Sequence, residues 1–336
     1  MTEPTPRHPN ADPRAAAAIV PPLDGQLVPR YAGWLSFARL PRIEDVARHD
    51  ISVLGVPFDA GVTYRPGARF GPEAIRQASR LLKPYNPAQD TNPYADLQIV
   101  DAGDVSANPF DIPTALAEIQ RDVTALTQGN RPILVLGGDH TIALPVLRAL
   151  AEQHGPVALV HFDAHLDTWG TYFGADTTHG TPFRRASEEG LIDHTRSVHV
   201  GIRGSLYSPE DLSDDAALGY TIIHCRDFVR QGIDQILDRL LDRVGEGPVY
   251  ISIDIDVLDP AFAPGTGTPE AGGMQSRELL ELLRGMNHLP IVGADIVEVA
   301  PAYDHAQVTA VAAANLGSEL LAMFAKTRAP GAPHRP

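Results

Sequence analysis

Apolar residues in this chain gather in short runs, and the runs alternate with segments of helical spacing. Eight runs rich in Ile, Val and Leu cover 51–56, 97–100, 133–136, 157–162, 197–200, 221–223, 249–255 and 291–296. Most are nearly continuous in apolar character, which predicts strands buried on both faces rather than strands with one wet side. Between most of them apolar residues recur every three or four positions. That spacing predicts helices over 72–82, 113–127, 141–152, 233–244, 276–286 and 306–326. Strand–helix alternation of this kind predicts a parallel sheet covered by helices on both faces. The expected fold is α/β, a three-layer α/β/α sandwich on an eight-stranded, mainly parallel sheet. A closed barrel is the alternative. In either architecture ligands collect at the carboxyl ends of the strands.

Residues 1–29 are rich in Pro, Ala and charge without a period, and predict a flexible arm. Residues 328–336 predict a similar tail. The stretch between them, 30–327, holds no linker-like segment or repeat and reads as a single catalytic domain.

Composition narrows the function. The chain has 336 residues, enough for one large core. A net charge of −15 argues against a nucleic-acid partner, which wants a basic face, and is compatible with a cationic small substrate. The single cysteine, Cys225, cannot form an internal disulfide, fits a reducing compartment and reads as a small buried hydrophobe. The N-terminus lacks a basic segment leading into an apolar one, and no apolar run approaches the ~20 residues of a membrane span. A cytoplasmic protein with no membrane partner is expected.

Chemistry concentrates in three clusters that each close a predicted strand: Gly137-Gly138-Asp139-His140, His161-Phe162-Asp163-Ala164-His165-Leu166-Asp167, and Asp254-Ile255-Asp256. In an extended segment residues two apart share a side, so Asp163 pairs with His165 and Asp254 with Asp256. Asp167 keeps the parity if the chain stays extended. A lone Asp at a strand end is usually a cap or turn former, and a lone His is usually a satisfied polar residue. Four carboxylates behind apolar strands are another matter. Like-charge repulsion would force some to stay protonated unless cations sat among them. The four charges of Asp163, Asp167, Asp254 and Asp256 match two divalent ions. Mostly oxygen ligands with some imidazole suit Mn²⁺, with Fe²⁺, Co²⁺, Ni²⁺ or Zn²⁺ as alternatives. Two such ions acidify a shared water enough to supply hydroxide near neutral pH. His161, one step deeper, reads as a core histidine or one that orients a ligand. Asp139 reads as a residue fixing the Gly-Gly turn or orienting His140, and Asp259, before Pro260, as a turn residue. Gly265-Thr266-Gly267 lacks the third glycine of a dinucleotide loop.

These clusters resemble the ureohydrolase family of arginase, agmatinase and related amidinohydrolases. The likeness runs from about Tyr31 to Ala325 and includes the stretch Tyr64-Arg65-Pro66-Gly67-Ala68-Arg69-Phe70-Gly71-Pro72. It also includes His179-Gly180-Thr181-Pro182-Phe183, Asp259-Pro260, Pro264-Gly265-Thr266-Gly267-Thr268-Pro269 and Glu298-Val299-Ala300-Pro301. The chain looks like the agmatinase branch. The resemblance implies a binuclear manganese site, with His140, Asp163, Asp167 and Asp254 on one ion and Asp163, His165, Asp254 and Asp256 on the other. Asp163 and Asp254 would bridge. It also implies a homo-oligomer, a trimer or hexamer.

The implied reaction is hydrolysis of a guanidinium group to urea and an amine. His179 is the expected proton shuttle to the leaving amine, since imidazole titrates near working pH. Glu298 is expected to orient the substrate, because a carboxylate can accept two parallel hydrogen bonds from a guanidinium. An ion pair with a protein Arg is its alternative. The loop 168–178 should line the mouth with Trp169, Tyr172, Phe173 and Asp176. Arginases carry an Asn two positions after the last metal Asp to help hold an α-carboxylate, and Trp169 stands there instead. Agmatine is therefore the expected substrate, its ammonium meeting aromatic faces or Asp176. Guanidinobutyrate, guanidinopropionate, a guanidino-β-lactam precursor and smaller guanidines are alternatives. A non-catalytic metal-binding partner subunit and a one-zinc deacetylase are readings of other classes.

Overall fold

The computed structural model describes residues 19–328. Eight strands form one sheet: β1 Ile51–Gly55, β2 Ile99–Asp104, β3 Ile133–Leu136, β4 Ala158–Phe162, β5 Val198–Ile202, β6 Thr221–His224, β7 Val249–Asp254 and β8 Ile291–Val297. Their order is β2-β1-β3-β8-β7-β4-β5-β6, and every pairing is parallel. The sheet is open, with β2 and β6 as edges, so the barrel alternative falls and the α/β/α sandwich stands.

Alternate side chains feed two cores. On β3, Leu134 and Leu136 face one layer while Ile133 and Val135 face the other. The first layer is built by α1 Gly71–Ser79, α6 Cys225–Val244, α7 Ser276–Gly285 and α8 Val308–Arg328; the second by α2 Ile112–Thr127, α3 Ala143–His154 and α4 Pro182–Glu188. Helix α5, Glu210–Leu218, touches the second core only at its end, through the partly buried Leu218. Local signals set several ends. Asp111 accepts from the Thr114 amide at 3.0 Å to cap α2, and Glu278 accepts from the Gln275 amide at 2.8 Å at the start of α7. α6 begins eight residues before the predicted 233, with a break at Gly232 (φ 77°). α8 is long and apolar enough to cross a membrane by length and composition. That corrects the expectation that no such run exists. Its apolar window is 72% buried, so it is the core helix of the first layer.

The expected arm lies largely outside the described residues. Its described part, 19–29, is tied to the body rather than free. Val20 exchanges hydrogen bonds with the Gln98 side chain at 2.8 and 3.0 Å, and the Leu23 amide donates to Arg39 O at 3.0 Å. Of the expected tail, Arg328 closes α8 and the rest lies outside the described residues.

What positions the site is the register of the four central strands. Leu136 pairs with Ile296, Ile296 with Ile253, and Ile253 with Phe162. The carboxyl ends of β3, β8, β7 and β4 are therefore level, and the residues that leave them meet at one height. The β3 exit is tight. A Cβ on Gly138 would sit 1.7 Å from Phe58 O, and one on Gly137 2.6 Å from Val297 Cγ1. Gly138→Ala is expected to lower stability by about 3 kcal/mol or more, because the blocking atom is backbone. A denaturant midpoint unchanged from wild type would refute this account of the turn.

Candidate active site

The D-x-[HD] clusters do not leave their strands extended. Asp163 Oδ1 accepts from the His165 amide at 2.6 Å, and Asp254 Oδ1 accepts from the Asp256 amide at 2.8 Å. Each Asp thus closes a turn on the residue two ahead of it. Asp256 sits in a short 3₁₀ turn, Ile255–Val257, and Asp167 has φ 54°, a left-handed value that Asp tolerates. Strand parity is therefore not what aims these side chains. Asp139 caps the turn that presents His140, accepting from the Thr141 amide at 2.9 Å and the Gly61 amide at 2.8 Å.

The structure brings all six candidate ligands together. His140 Nδ1 lies 2.9 Å from Asp167, 3.3 Å from Asp163 and 3.5 Å from Asp254. His165 Nδ1 lies 3.1 Å from Asp256 and 3.3 Å from Asp163. Asp163 belongs to both groups, as a bridging ligand would. His161 also falls within reach, but its Nε2 is engaged with Asp163 Oδ2 at 2.8 Å.

The donor set fits divalent cations. Ser252 Oγ gives its proton to Asp295 Oδ1 at 2.7 Å, so it must accept from His140 Nε2 at 2.8 Å. His140 Nδ1 is then the lone-pair nitrogen. It is fully buried, without a hydrogen-bond partner, and aimed at three carboxylates. Only a cation or a proton relieves that arrangement. The titration directions agree. Burial and the neighbouring carboxylates Asp256 and Asp163 push Asp254 well above the ordinary carboxylate range. Burial, partly offset by His165, pushes Asp256 up to about 6. Burial alone would lower His140 and His165, yet their carboxylate neighbours hold both well above the usual histidine value. Asp163 is the exception: three imidazoles outweigh its burial and hold it well below the usual range.

Glu298 leaves β8 at φ 62°, a left-handed value uncommon for Glu. Its Oε1 accepts from the His140 amide at 2.9 Å and from His179 Nδ1 at 2.9 Å. Its Oε2 is buried with no partner. Only one oxygen is left for a ligand, so two parallel hydrogen bonds to a guanidinium are not available as expected. No protein Arg contacts it among the described residues. The Nε2 of His179 accepts from the Thr63 amide at 3.2 Å and lies 2.8 Å from Thr63 Oγ1. Burial lowers the pKa of His179, but Glu298, Asp167 and Asp139 outweigh it and bring it to about 9.

A cavity of about 310 Å³ opens over this cluster. His165, Asp167, Asp254 and His179 face it from the cluster, and Trp169, Tyr172, Phe173, Tyr64 and Tyr207 form its aromatic wall. Trp169 and Tyr172 meet edge to face, and Tyr172 donates to Tyr207 Oη at 2.8 Å. Asp176 is exposed and absent from the lining, so the expected ammonium partner is misplaced. Sequence reasoning missed Thr63, Tyr207, Ser252 and Asp295. Asp295 left a signal, a carboxylate inside an apolar strand; Tyr207 left none.

The matched span settles kinship. Residues 49–323 match the arginase family. The chain belongs to the arginase family. It is 46% identical to guanidinopropionase of Pseudomonas aeruginosa over 92% of this chain and 97% of that one. It is 43% identical to mitochondrial agmatinase of Gallus gallus, over 93% and 91%. The crystal structure of proclavaminate amidinohydrolase from Streptomyces clavuligerus superimposes with a TM-score of 0.85 at 44% identity, covering 89% of this chain and 99% of that one. As a family member the protein is a hydrolase of carbon–nitrogen bonds in guanidino or amidine compounds.

Because carboxylate neighbours push His140 and His165 toward the charged form and a ligating imidazole is neutral, binding of a divalent cation such as Mn²⁺ should release protons. Calorimetry in buffers of different ionisation enthalpy reads this. Two equivalents should bind the wild type, one should remain in Asp256→Asn, and neither in Asp163→Asn. Binding without proton release, or a single equivalent in the wild type, would refute the reading.

Proposed function

We propose that this protein is a binuclear-metal amidinohydrolase whose substrate is agmatine, converted to putrescine and urea. The observation that carries the substrate choice is the cavity lining. Among the described residues it contains no Lys or Arg to hold a carboxylate, while its rim is aromatic. Aromatic faces attract an ammonium, and the chain's net charge of −15 favours approach of a dication. Guanidino acids are the second reading. Guanidinopropionase and proclavaminate amidinohydrolase are as similar to the chain as agmatinase is, and Thr63, Thr268 and the tyrosine hydroxyls could donate to a carboxylate.

Manganese is the proposed metal on the strength of the oxygen-rich ligand set, with His140, Asp163, Asp167 and Asp254 around one ion and Asp163, His165, Asp254 and Asp256 around the other. When bound, such a pair acidifies water and stabilises negative charge. The chain's own residues do the rest. The free oxygen of Glu298 is the acceptor proposed to orient the guanidinium. A Cβ on Gly267 would come within 3.5 Å of that oxygen, so the absence of a side chain there keeps the approach open. His179, anchored by Glu298, is poised to exchange a proton: the neutral ring accepts at Nε2 from the Thr63 amide, and the Thr63 hydroxyl can accept from Nε2 once the ring is charged. The charged ring gives its proton to the departing amine. A cytoplasmic homo-oligomer, trimer or hexamer, completes the proposal.

A kcat/KM panel over agmatine, guanidinobutyrate and guanidinopropionate tests the substrate, and negligible turnover of agmatine beside rapid turnover of a guanidino acid would overturn it. Since His179 acts in its charged form, wild-type kcat should fall as pH rises through about 9. His179→Asn should lower kcat by roughly 10²–10⁴ and lose that alkaline limb; unchanged turnover between pH 7 and 9 would remove His179 from the mechanism. Glu298→Gln should cripple substrate capture with metal content intact, and metal loss instead would assign Glu298 to the scaffold.

A further inference from the structure

Helix α5 buries one residue completely, and that residue is an aspartate. Asp215 is 0% exposed, on a helix whose other positions are exposed or half-buried. Its Oδ1 accepts from Thr168 Oγ1 at 2.8 Å and lies 3.3 Å from His199 Nε2. His199 Nδ1 lies 2.7 Å from His161 Nδ1, and His161 Nε2 lies 2.8 Å from Asp163 Oδ2. His161, His199 and Asp163 are all fully buried. The result is a closed loop of contacts. It leaves Asp163, passes through two imidazoles to Asp215, and returns through Thr168, the residue next to Asp167.

The order of protons around this loop follows from its ends. As a ligand Asp163 is a carboxylate, so His161 Nε2 must donate to it. His161 Nδ1 is then an acceptor, and His199 Nδ1 must donate to it. His199 Nε2 and Asp215 Oδ1 cannot face each other as two lone pairs in a dry site, so a proton lies between them. A carboxylate at the Asp215 position supplies the acceptor that this order requires. The rings cannot turn to escape it: Phe183 packs on His161 at 4.4 Å between centroids, and Tyr220 packs on His199 at 4.3 Å.

We propose that Asp215 is a positioning residue for the metal site, setting the His161 tautomer that donates to Asp163 and pinning, through Thr168, the turn that carries Asp167. It touches neither substrate nor ion. The inference rests on the two-ion reading of the cluster. A carboxylate that orients a ligand through an imidazole is a common way to raise ligand quality, and removing it typically costs roughly ten- to hundredfold in metal affinity.

The test uses the full-length chain stripped of metal. In the wild type, ¹⁵N imidazole spectra should report His161 as the Nε2–H tautomer. Asp215→Leu should raise the Mn²⁺ dissociation constant by roughly ten- to hundredfold; Asp215→Asn, whose amide can donate to His199 Nε2 and so keeps the His161 tautomer, and Thr168→Val should each raise it by a smaller factor. A purely structural Asp215 would lower the melting temperature and leave Mn²⁺ affinity within threefold of wild type. That result, or a His161 found protonated on Nδ1 in the wild type, overturns the proposal. If Asp215→Leu does not fold, the wild-type spectrum and Thr168→Val decide. A wild type that binds no Mn²⁺ defeats the two-ion reading instead, and the His161 spectrum still reads the loop by itself.

Discussion

Mutual repulsion among buried carboxylates is the constraint around which this molecule is organised. Asp163, Asp167, Asp254 and Asp256 converge where water is scarce, together with two imidazoles. In such a setting a bare charge is costly unless something of opposite sign lies beside it. Carboxylate neighbours push His140 and His165 toward the charged form, and burial with like charges pushes Asp254 toward the neutral one. A cluster built this way is held together from outside until cations arrive, and the surrounding structure is that external hold.

The hold has several parts. The level ends of four neighbouring strands bring β3, β8, β7 and β4 to a common height. Self-closing turns at Asp163 and Asp254 each leave one oxygen facing inward while the other is satisfied by backbone. Ser252 and Asp295 hold His140 in the tautomer that presents Nδ1. Glu298 ties the β3 exit to His179 by accepting from the His140 amide and the His179 ring. Each contact satisfies a polar group that would otherwise be stranded, and each also aims a functional atom. Scaffold and chemistry are therefore the same hydrogen bonds in this site.

The cavity above differs in kind. Its floor is polar and tightly fixed, whereas its rim consists of aromatic rings of which Tyr64, Phe173 and Tyr207 are largely exposed. The polar floor is held by buried hydrogen bonds, whereas the rim has fewer restraints. Relatives named for different guanidino compounds match about nine-tenths of the chain at similar identity.

The sequence by itself determined a covered parallel sheet, though not whether that sheet stays open, and the identity of the charged cluster. Continuous apolar runs alternating with helical spacing leave few alternatives to a covered parallel sheet, and carboxylates concentrated at strand ends have few bland explanations. It did not determine how those carboxylates are aimed. Strand parity pointed to the same residues as the Asx turns do, but the turns depend on hydrogen bonds two residues long that no periodicity encodes. Nor did it reveal the residues that act from a distance. Tyr207 and Asp215 come from a segment with weak patterning, and Asp176 sits in the right loop yet faces solvent. Only packing decided these, because a side chain's chemistry is local to the chain while its partner is chosen by which elements the sheet brings together.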